Sequence, residues 1–445
     1  RSKLDYGSIV YGSARKSYLQ MLDPIHYQGL RLALGAFKTS PAKSLYVEAN
    51  EPSLYLRREK LSLQYTTKLS SNPLNPTHNT VFRPKFQTQF AYKQNIIPSF
   101  GIRMKNTFQN SNIPIGKVSQ SEVPDVPPWT LQQPKVLFDL HNSKKSTTDP
   151  QIFQIGFNEI LSKYDSHARI FTDGSKENEK VAAAFVTAGC TSKCRLPDNA
   201  SIFSAEIKAI DLALDFIDSS SLNKFIIFSD SLSVLQSIHN LKLENSLCQN
   251  LLVKLHNLSH FNDILLCWLP SHMGIQGNEK ADIAAKAALS LSPSDFKIPY
   301  SDLRPLINSF ILNKWQESWD NEINNKLHTV KPVIGEWYPA YQPIRKDEVI
   351  LSRLRIGHAR NTHSYLLKRE LQPECIPCQE PFTVKHFLLD CIDLQLSREN
   401  YFRVTSMKDL FETVDIPKNL EFLKETNKFT INKDMICYQH SLPFY

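Results

Sequence analysis

Four carboxylates stand in surroundings that could bring them to one place: Asp173, Glu206, Asp230 and Asp282. Asp173 follows an apolar-leaning run at residues 168–172, which predicts a short strand, and Gly174 predicts a turn directly after it. A carboxylate at the carboxyl end of a strand lies where open α/β sheets bind ligands. Asp230 holds the same kind of place after residues 225–228, a continuous apolar run expected of a strand covered on both faces. Glu206 borders a stripe of Phe203, Ile207, Ile210, Leu214 and Ile217, spaced as on an amphipathic helix. A carboxylate there is costly without a cation beside it. Asp282 is placed in the first turn of a helix, where the dipole favours an ionised group by about 0.3–1 kcal/mol.

Four such groups in a small volume would repel one another unless divalent cations occupied it, and hard oxygen donors select Mg²⁺ or Mn²⁺. Two ions about 3.5–4 Å apart serve phosphodiester cleavage, one activating water and the other stabilising the leaving oxygen. His272 lies on a loop with Gly274 and Gly277 nearby. It suits proton transfer or product departure and is a poor ligand for a hard metal.

The elements needed to position these residues follow in order. Residues 168–172, residues 181–187 and a third strand ending at 201–203 form a meander, and the helix bearing Glu206 comes next. A strand at 224–229 leads to a helix that Ser231 could cap, with Val234, Leu235 and Ile238 on its apolar side. Residues 247–258 predict another helix, and residues 264–269 the last strand, closed by Pro270. The final helix is rich in small residues (Ala281, Ala284, Ala285, Ala287, Ala288), which lets it lie close to a sheet. The expectation is an α/β domain at residues 161–292.

Around it the chain changes character. Residues 1–70 carry helical patterns with basic and aromatic residues, Arg57, Arg58, Glu59 and Lys60 marking an exposed charged face. Residues 71–160 are interrupted by Pro73, Pro76, Pro84, Pro98, Pro114, Pro124, Pro127, Pro128 and Pro134, which predicts a mostly extended linker. Residues 299–445 are expected to be mainly helical, with Trp315 and Trp319 as core or docking residues. A basic stretch there (Arg345, Lys346, Arg353, Arg355, His358, Arg360, Lys368, Arg369) reads equally as a solvated face or a phosphate-tracking surface. Directly after it stand Cys375, Cys378, His386 and Cys391, a C-x2-C-x7-H-x4-C pattern at residues 375–391. Thiolates and an imidazole in so short a span match the needs of tetrahedral Zn²⁺, which can organise a segment too small to fold alone.

The balance of the composition narrows the class. A formal net charge of +8 suits a polyanionic partner without demanding one. Eight irregularly spread cysteines do not make a secreted disulfide framework, so an intracellular setting, nucleus or cytoplasm, is expected. Cys190, Cys194, Cys248, Cys267 and Cys437 read as packing or incidental. No apolar run reaches the roughly 18 residues of a membrane span, so no membrane partner is expected. The chain begins without Met, in sequence resembling the middle of a domain, and reads as a fragment.

Thr172-Asp-Gly-Ser175, Ser204-Ala-Glu-Ile-Lys-Ala-Ile210, Ser229-Asp-Ser231 and the run from Leu269 to Asp282 resemble the ordered motifs of type 1 ribonuclease H. That resemblance implies a five-stranded mixed sheet in order 32145 flanked by helices, and cleavage of the RNA strand of RNA–DNA hybrids. It also implies metal ligation by Asp173, Glu206, Asp230 and Asp282, His272 as the loop histidine, and substrate contacts from Gly174, Ser175 and Asn278. Leu4-Asp-Tyr-Gly-Ser-Ile-Val-Tyr-Gly12 and Leu30-Arg-Leu-Ala-Leu-Gly-Ala36 resemble the segment downstream of the polymerase core in non-LTR (LINE, jockey-like) retrotransposon reverse transcriptases. That family's Tyr-x-Asp-Asp motif is nowhere in this sequence, and residues 1–70 read as a thumb or connection remnant. The Cys–His pattern resembles one near the C-terminus of retrotransposon second-open-reading-frame proteins. Together these imply an RNA–DNA hybrid ribonuclease whose partners are nucleic acid and the upstream reverse transcriptase portion of the same polyprotein. Two alternatives stay open: a catalytically inert nucleic-acid-binding remnant, and a DNA-cutting nuclease of the same superfamily.

Overall fold

The computed structural model describes residues 2–92, 96–121, 127–142, 145, 147–243, 245–335 and 344–426. It divides into two compact units. One comprises Arg1–Ser62 with Ser309–Tyr445, and the other Leu63–Asn308.

The second unit is built on a mixed sheet of six strands: β1 (Lys135–Leu137), β2 (Ala168–Glu177), β3 (Lys180–Val186), β4 (Thr191–Arg195), β5 (Lys224–Ser229) and β6 (Asp263–Trp268). From one edge the order is β1, β6, β5, β2, β3, β4. The pairs β1–β6, β6–β5 and β5–β2 are parallel, whereas β2–β3 and β3–β4 are antiparallel. Strands β2 to β6 therefore have the expected five-strand order, and β1 adds a sixth at one edge.

Strand β5 shows why its sequence is apolar throughout. Phe225 and Ile227 face one core, Ile226 and Phe228 the other, and all four are fully buried. Helix α1 (Pro150–Lys163) covers the second of these faces with Phe153, Phe157 and Ile160. Helices α2 (Ile202–Asp218), α3 (Leu232–His239) and α4 (Ser246–Ser259) cover the first. Helix α5 (Gln276–Ala288) packs on β2 and β3. Its Ala281, Ala285 and Ala288 are fully buried, and a Cβ on Gly277 would fall 2.3 Å from the Phe171 ring. The small residues are there because the helix lies against the sheet with no room for larger ones.

Several local expectations change. Strand β2 does not stop at Thr172 but runs on to Glu177, because β3 pairs with it beyond Asp173 up to Glu177↔Lys180. Gly174 accordingly lies inside a strand and makes no turn. The third strand is Thr191–Arg195, and residues 202 and 203 already belong to α2. Ser231 stands at the N-terminal boundary of α3, yet its side chain makes no capping hydrogen bond.

Residues 71–160, expected as an extended linker, contain the helices His78–Phe82 and Phe100–Ser111, strand β1 and helix α1. The prolines flank these elements instead of breaking them: Pro84 and Pro114 follow helices, and Pro98 precedes one. Pro150 occupies the first helical position, where its missing N–H costs nothing, and Asp149 caps the helix through Gln151 N–H at 2.8 Å. Pro124 lies outside the described residues.

The first unit is mainly helical. Trp315 and Trp319 are buried, and Trp319 Nε1 donates to the Lys331 carbonyl at 2.9 Å. The charged face expected at Arg57–Lys60 is half-buried and internally paired, Arg57 with Asp5 and Glu51, Glu59 with Lys314 at 2.7 Å. In the basic stretch, Arg353 Nε donates to the Gly35 carbonyl at 2.7 Å and buried Arg355 lies 3.5 Å from Glu48. Those two guanidinium groups hold the unit together and are not a phosphate track. No helix among the described residues is long and apolar enough to cross a membrane. Cys437 and the tail from residue 427 lie outside the described residues.

Candidate active site

Parallel pairing of β2 with β5 ends at Thr172↔Ser229, and the next residues are Asp173, still within β2, and Asp230, just past the end of β5. Glu206 reaches the same point from the first turns of α2. Oxygens of these three carboxylates lie within 4.8 Å of one another. Asp173 and Glu206 are only 5% and 7% exposed, and Asp173 Oδ2 and Glu206 Oε2 are buried without a hydrogen-bond partner.

Gly174 explains how α2 comes so close. A Cβ there would lie 3.0 Å from Glu206 N, 3.0 Å from Ala205 Cβ and 3.1 Å from Glu206 Cδ. The residue is glycine because of this approach, and its N–H donates to the carboxylates of Asp173 and Glu206. Gly174→Ala is expected to push Glu206 a few tenths of an ångström and to lower any activity of the site about 10- to 100-fold, since catalysis is that sensitive to misplacement. Steady-state kinetics of a variant with unchanged secondary structure would check it; wild-type turnover would refute the role given to Gly174.

The electrostatics are those of a site short of positive charge. Burial, then the charges of Asp230 and Asp282, push the Asp173 carboxyl up to about 8. Burial and the neighbouring Asp173 and Asp230 push Glu206 well above the usual carboxylate range. Burial also raises Asp230, against a hydrogen bond from the Asn278 side chain. Crowded oxygens, two of them buried and unsatisfied, form a donor set suited to hard divalent cations. These residues fit such ions.

Asp282 is near enough to repel Asp173 and Asp230 but is not within the three-carboxylate cluster. It lies in the second turn of α5, beyond reach of the helix dipole, and its Oδ2 is ion-paired with Lys286 at 2.7 Å. The i,i+4 spacing of this pair is itself legible in the sequence.

His272 is exposed, with a left-handed φ of 56°, and its charge acts on Asp230. Its loop is tied to the segment before β2: Gln154 Nε2 donates to the Met273 carbonyl at 2.9 Å and Lys145 Nζ to Ser271 Oγ at 2.9 Å. Asn278, expected to touch substrate, is 3% exposed; its side chain donates to Asp230, and its Oδ1 is buried without a hydrogen-bond partner. Ser175 is buried within β2.

A second cluster stands in the other unit. Cys375, Cys378, His386 and Cys391 offer ligand atoms within 4.8 Å of one another. Cys391 Sγ lies 3.8 Å from Cys375 Sγ and 3.9 Å from Cys378 Sγ. A tetrahedron with metal–sulfur bonds of ~2.3 Å has edges of ~3.8 Å. The first two cysteines sit on a small hairpin, Glu374–Cys375 against Glu380–Pro381, and His386 begins a π-helical turn ending at Asp390. Backbone N–H groups of Ile392 and Asp393 lower the Cys378 thiol, whereas burial raises Cys391 to about 11. Both ring nitrogens of buried His386 lack a hydrogen-bond partner, and Nδ1 lies 3.4 Å from Glu380. The donor set fits Zn²⁺. Of the other cysteines, Cys248 and Cys267 are buried packing residues.

Fold and site together define an α/β domain whose mixed sheet gathers acidic side chains into a pocket suited to divalent cations. The family model for RNase H matches residues 165–290. A solved structure, RNase H1 from the halophilic archaeon Halobacterium salinarum NRC-1, is similar at 18% identity, covering 28% of this chain and 97% of that one, with a TM-score of 0.24. No curated protein matches the chain.

Proposed function

We propose that this protein hydrolyses the RNA strand of RNA–DNA hybrids, using divalent cations held by Asp173, Glu206, Asp230 and Asp282. The observation that carries the reading is the three-carboxylate cluster with its buried, unsatisfied oxygens, inside an RNase H domain. Two Mg²⁺ ions, or Mn²⁺, would supply Lewis-acid activation of water and stabilisation of the departing oxygen.

The chain's own residues do the remainder. Asp173 and Glu206 are held in register by the Gly174 contact, so their oxygens stay fixed as charge develops. Asn278 orients Asp230 by donating to it. His272 is the group placed to move a proton beside Asp230 or to assist product departure. Lys286 neutralises Asp282 and must yield it for Asp282 to join the ligand set. A hybrid would be recognised by its shape, phosphates and 2′-hydroxyls.

The wider reading is that the chain is the C-terminal part of a non-LTR retrotransposon reverse transcriptase, working inside the cell with the upstream polymerase. Its support is the resemblance at residues 1–36 and at the Cys–His motif, where a structural Zn²⁺ would sit. In element copying, hybrid cleavage would free the new DNA strand.

The test is cleavage of labelled RNA–DNA hybrid, single-stranded RNA and duplex DNA, with and without Mg²⁺. Mg²⁺-dependent cutting confined to the RNA of the hybrid is expected. Hybrid binding with no cutting would overturn the proposal in favour of an inert binding module.

A further inference from the structure

The residues that follow the matched stretch reach back to the helix carrying Glu206. Ser201 ends the loop before α2, and its Oγ accepts from Ser204 N–H at 3.1 Å. Asp302 then closes over both serines: one carboxylate oxygen accepts from Ser201 N–H at 2.9 Å and from Ser204 Oγ at 2.6 Å. Asp302 is 6% exposed and Ser204 fully buried, so this is an interior contact and not a surface cap.

Asp302 is itself firmly held. The segment that carries it, residues 293–302, forms a strap: Ser294 N–H donates to the Arg195 carbonyl at 2.9 Å, which ties the strap to the end of β4. Further along, Ile298 N–H donates to the Lys117 carbonyl at 2.9 Å, and Ser119 N–H donates to the Ile298 carbonyl at 2.7 Å. Ile298 and Leu303, on either side of the carboxylate, are fully buried. The strap thus joins segments upstream and downstream of the matched residues and delivers one buried carboxyl group to the start of α2.

Glu206 lies two residues beyond Ser204, about 3 Å along the helix axis. The same first turns press on β2 at Gly174, with no slack between them. A shift of the α2 N-terminus must therefore move the Glu206 carboxylate relative to Asp173. We infer that Asp302 is a positioning residue for the acidic site, setting through Ser201 and Ser204 where Glu206 stands. The inference rests on the metal-binding reading of that site proposed above.

The experiment uses the full chain and reads Mn²⁺ binding directly, by calorimetry, beside hybrid cleavage as a function of Mg²⁺. Asp302→Ala is expected to weaken Mn²⁺ binding about tenfold or more, the scale found for groups that orient metal ligands. The Mg²⁺ needed for half-maximal cleavage rises in parallel, with KM for the hybrid nearly unchanged. Asp302→Asn keeps an acceptor oxygen and restores Mn²⁺ affinity to within a few-fold. Ile160→Ala, which loosens packing on the opposite face of the sheet, lowers the melting temperature but leaves Mn²⁺ affinity at the wild-type value.

Wild-type Mn²⁺ affinity in Asp302→Ala, or a loss no larger than in Ile160→Ala, would overturn the inference. If Asp302→Ala fails to fold, Ser204→Ala removes the bridging hydroxyl, and unchanged affinity in that variant overturns it equally. A wild-type chain showing no Mn²⁺ binding sensitive to Asp173→Asn would instead bring down the metal reading itself, and this inference with it.

Discussion

Asp173→Asn is expected to reduce hybrid cleavage by about 10³-fold or more while leaving the fold intact and the metal-free domain no less stable. The activity loss follows from replacing a central anionic oxygen of the cluster with a neutral amide. The stability outcome follows from the pKa. In the folded, metal-free chain, burial and two neighbouring acids raise Asp173 to about 8 from an ordinary value of 3.8. Between those values the folded state holds a proton that the unfolded state lacks. The group's contribution to stability is therefore fully present below about pH 4 and is lost as pH rises through about 8.

Asparagine has no such dependence. Metal-free melting curves at pH 6 and pH 9 should show the wild type losing more stability than the variant. The same linkage requires cations to displace that proton, so Mg²⁺ affinity should rise between pH 6 and pH 8. Cleavage by Asp173→Asn at ordinary Mg²⁺ would sink the assignment of Asp173, and an equal pH response of the two chains would sink the electrostatic account.

The second large effect belongs to the cysteine–histidine cluster. The purified chain should carry one zinc, and Cys391→Ser or a strong chelator should remove it and unfold the segment from Glu374 to Tyr401. Zinc binding in small domains is worth about 10–16 kcal/mol, enough to organise a segment this short. The damage should spread within that unit, because fully buried Phe387 packs against Phe382 and Phe422 and is anchored one residue from His386. Metal analysis and limited proteolysis give the readout. A zinc-free chain with the native proteolysis pattern and melting temperature would show that the cysteines are merely neighbours.

Much of the acidic site was legible before any coordinates. Asp230 was readable because a continuous apolar run such as residues 225–228 has only one good use, a strand buried on both faces, and the residue that follows such a strand lies at the carboxyl end of the sheet. Glu206 was readable because a charge bordering the apolar stripe at Ile207 and Ile210 needs a reason. The cysteine–histidine spacing was equally plain, since four soft ligands in a short span restrict the chemistry without any knowledge of the fold.

Other features depend on distances between parts of the chain that no local pattern encodes. Gly174 looked like a turn residue, and only the approach of α2 to β2 shows that it is there to admit Glu206. The proline-rich stretch looked like a linker because proline forbids helix interiors, yet proline is at home at helix starts and ends, where Pro84, Pro98, Pro114 and Pro150 lie. That α1 would supply Phe153 to the core, and β1 a sixth strand, was decided by burial of apolar surface remote in sequence. Asp302 is the extreme case. Nothing in its neighbours marks it, and it matters because the folded chain carries it about a hundred residues back to Ser201 and Ser204. Residue type and local period were enough to mark which groups could do chemistry. The tertiary structure decided what holds those groups in place, because close approach is a property of packed surfaces and not of the order of residues.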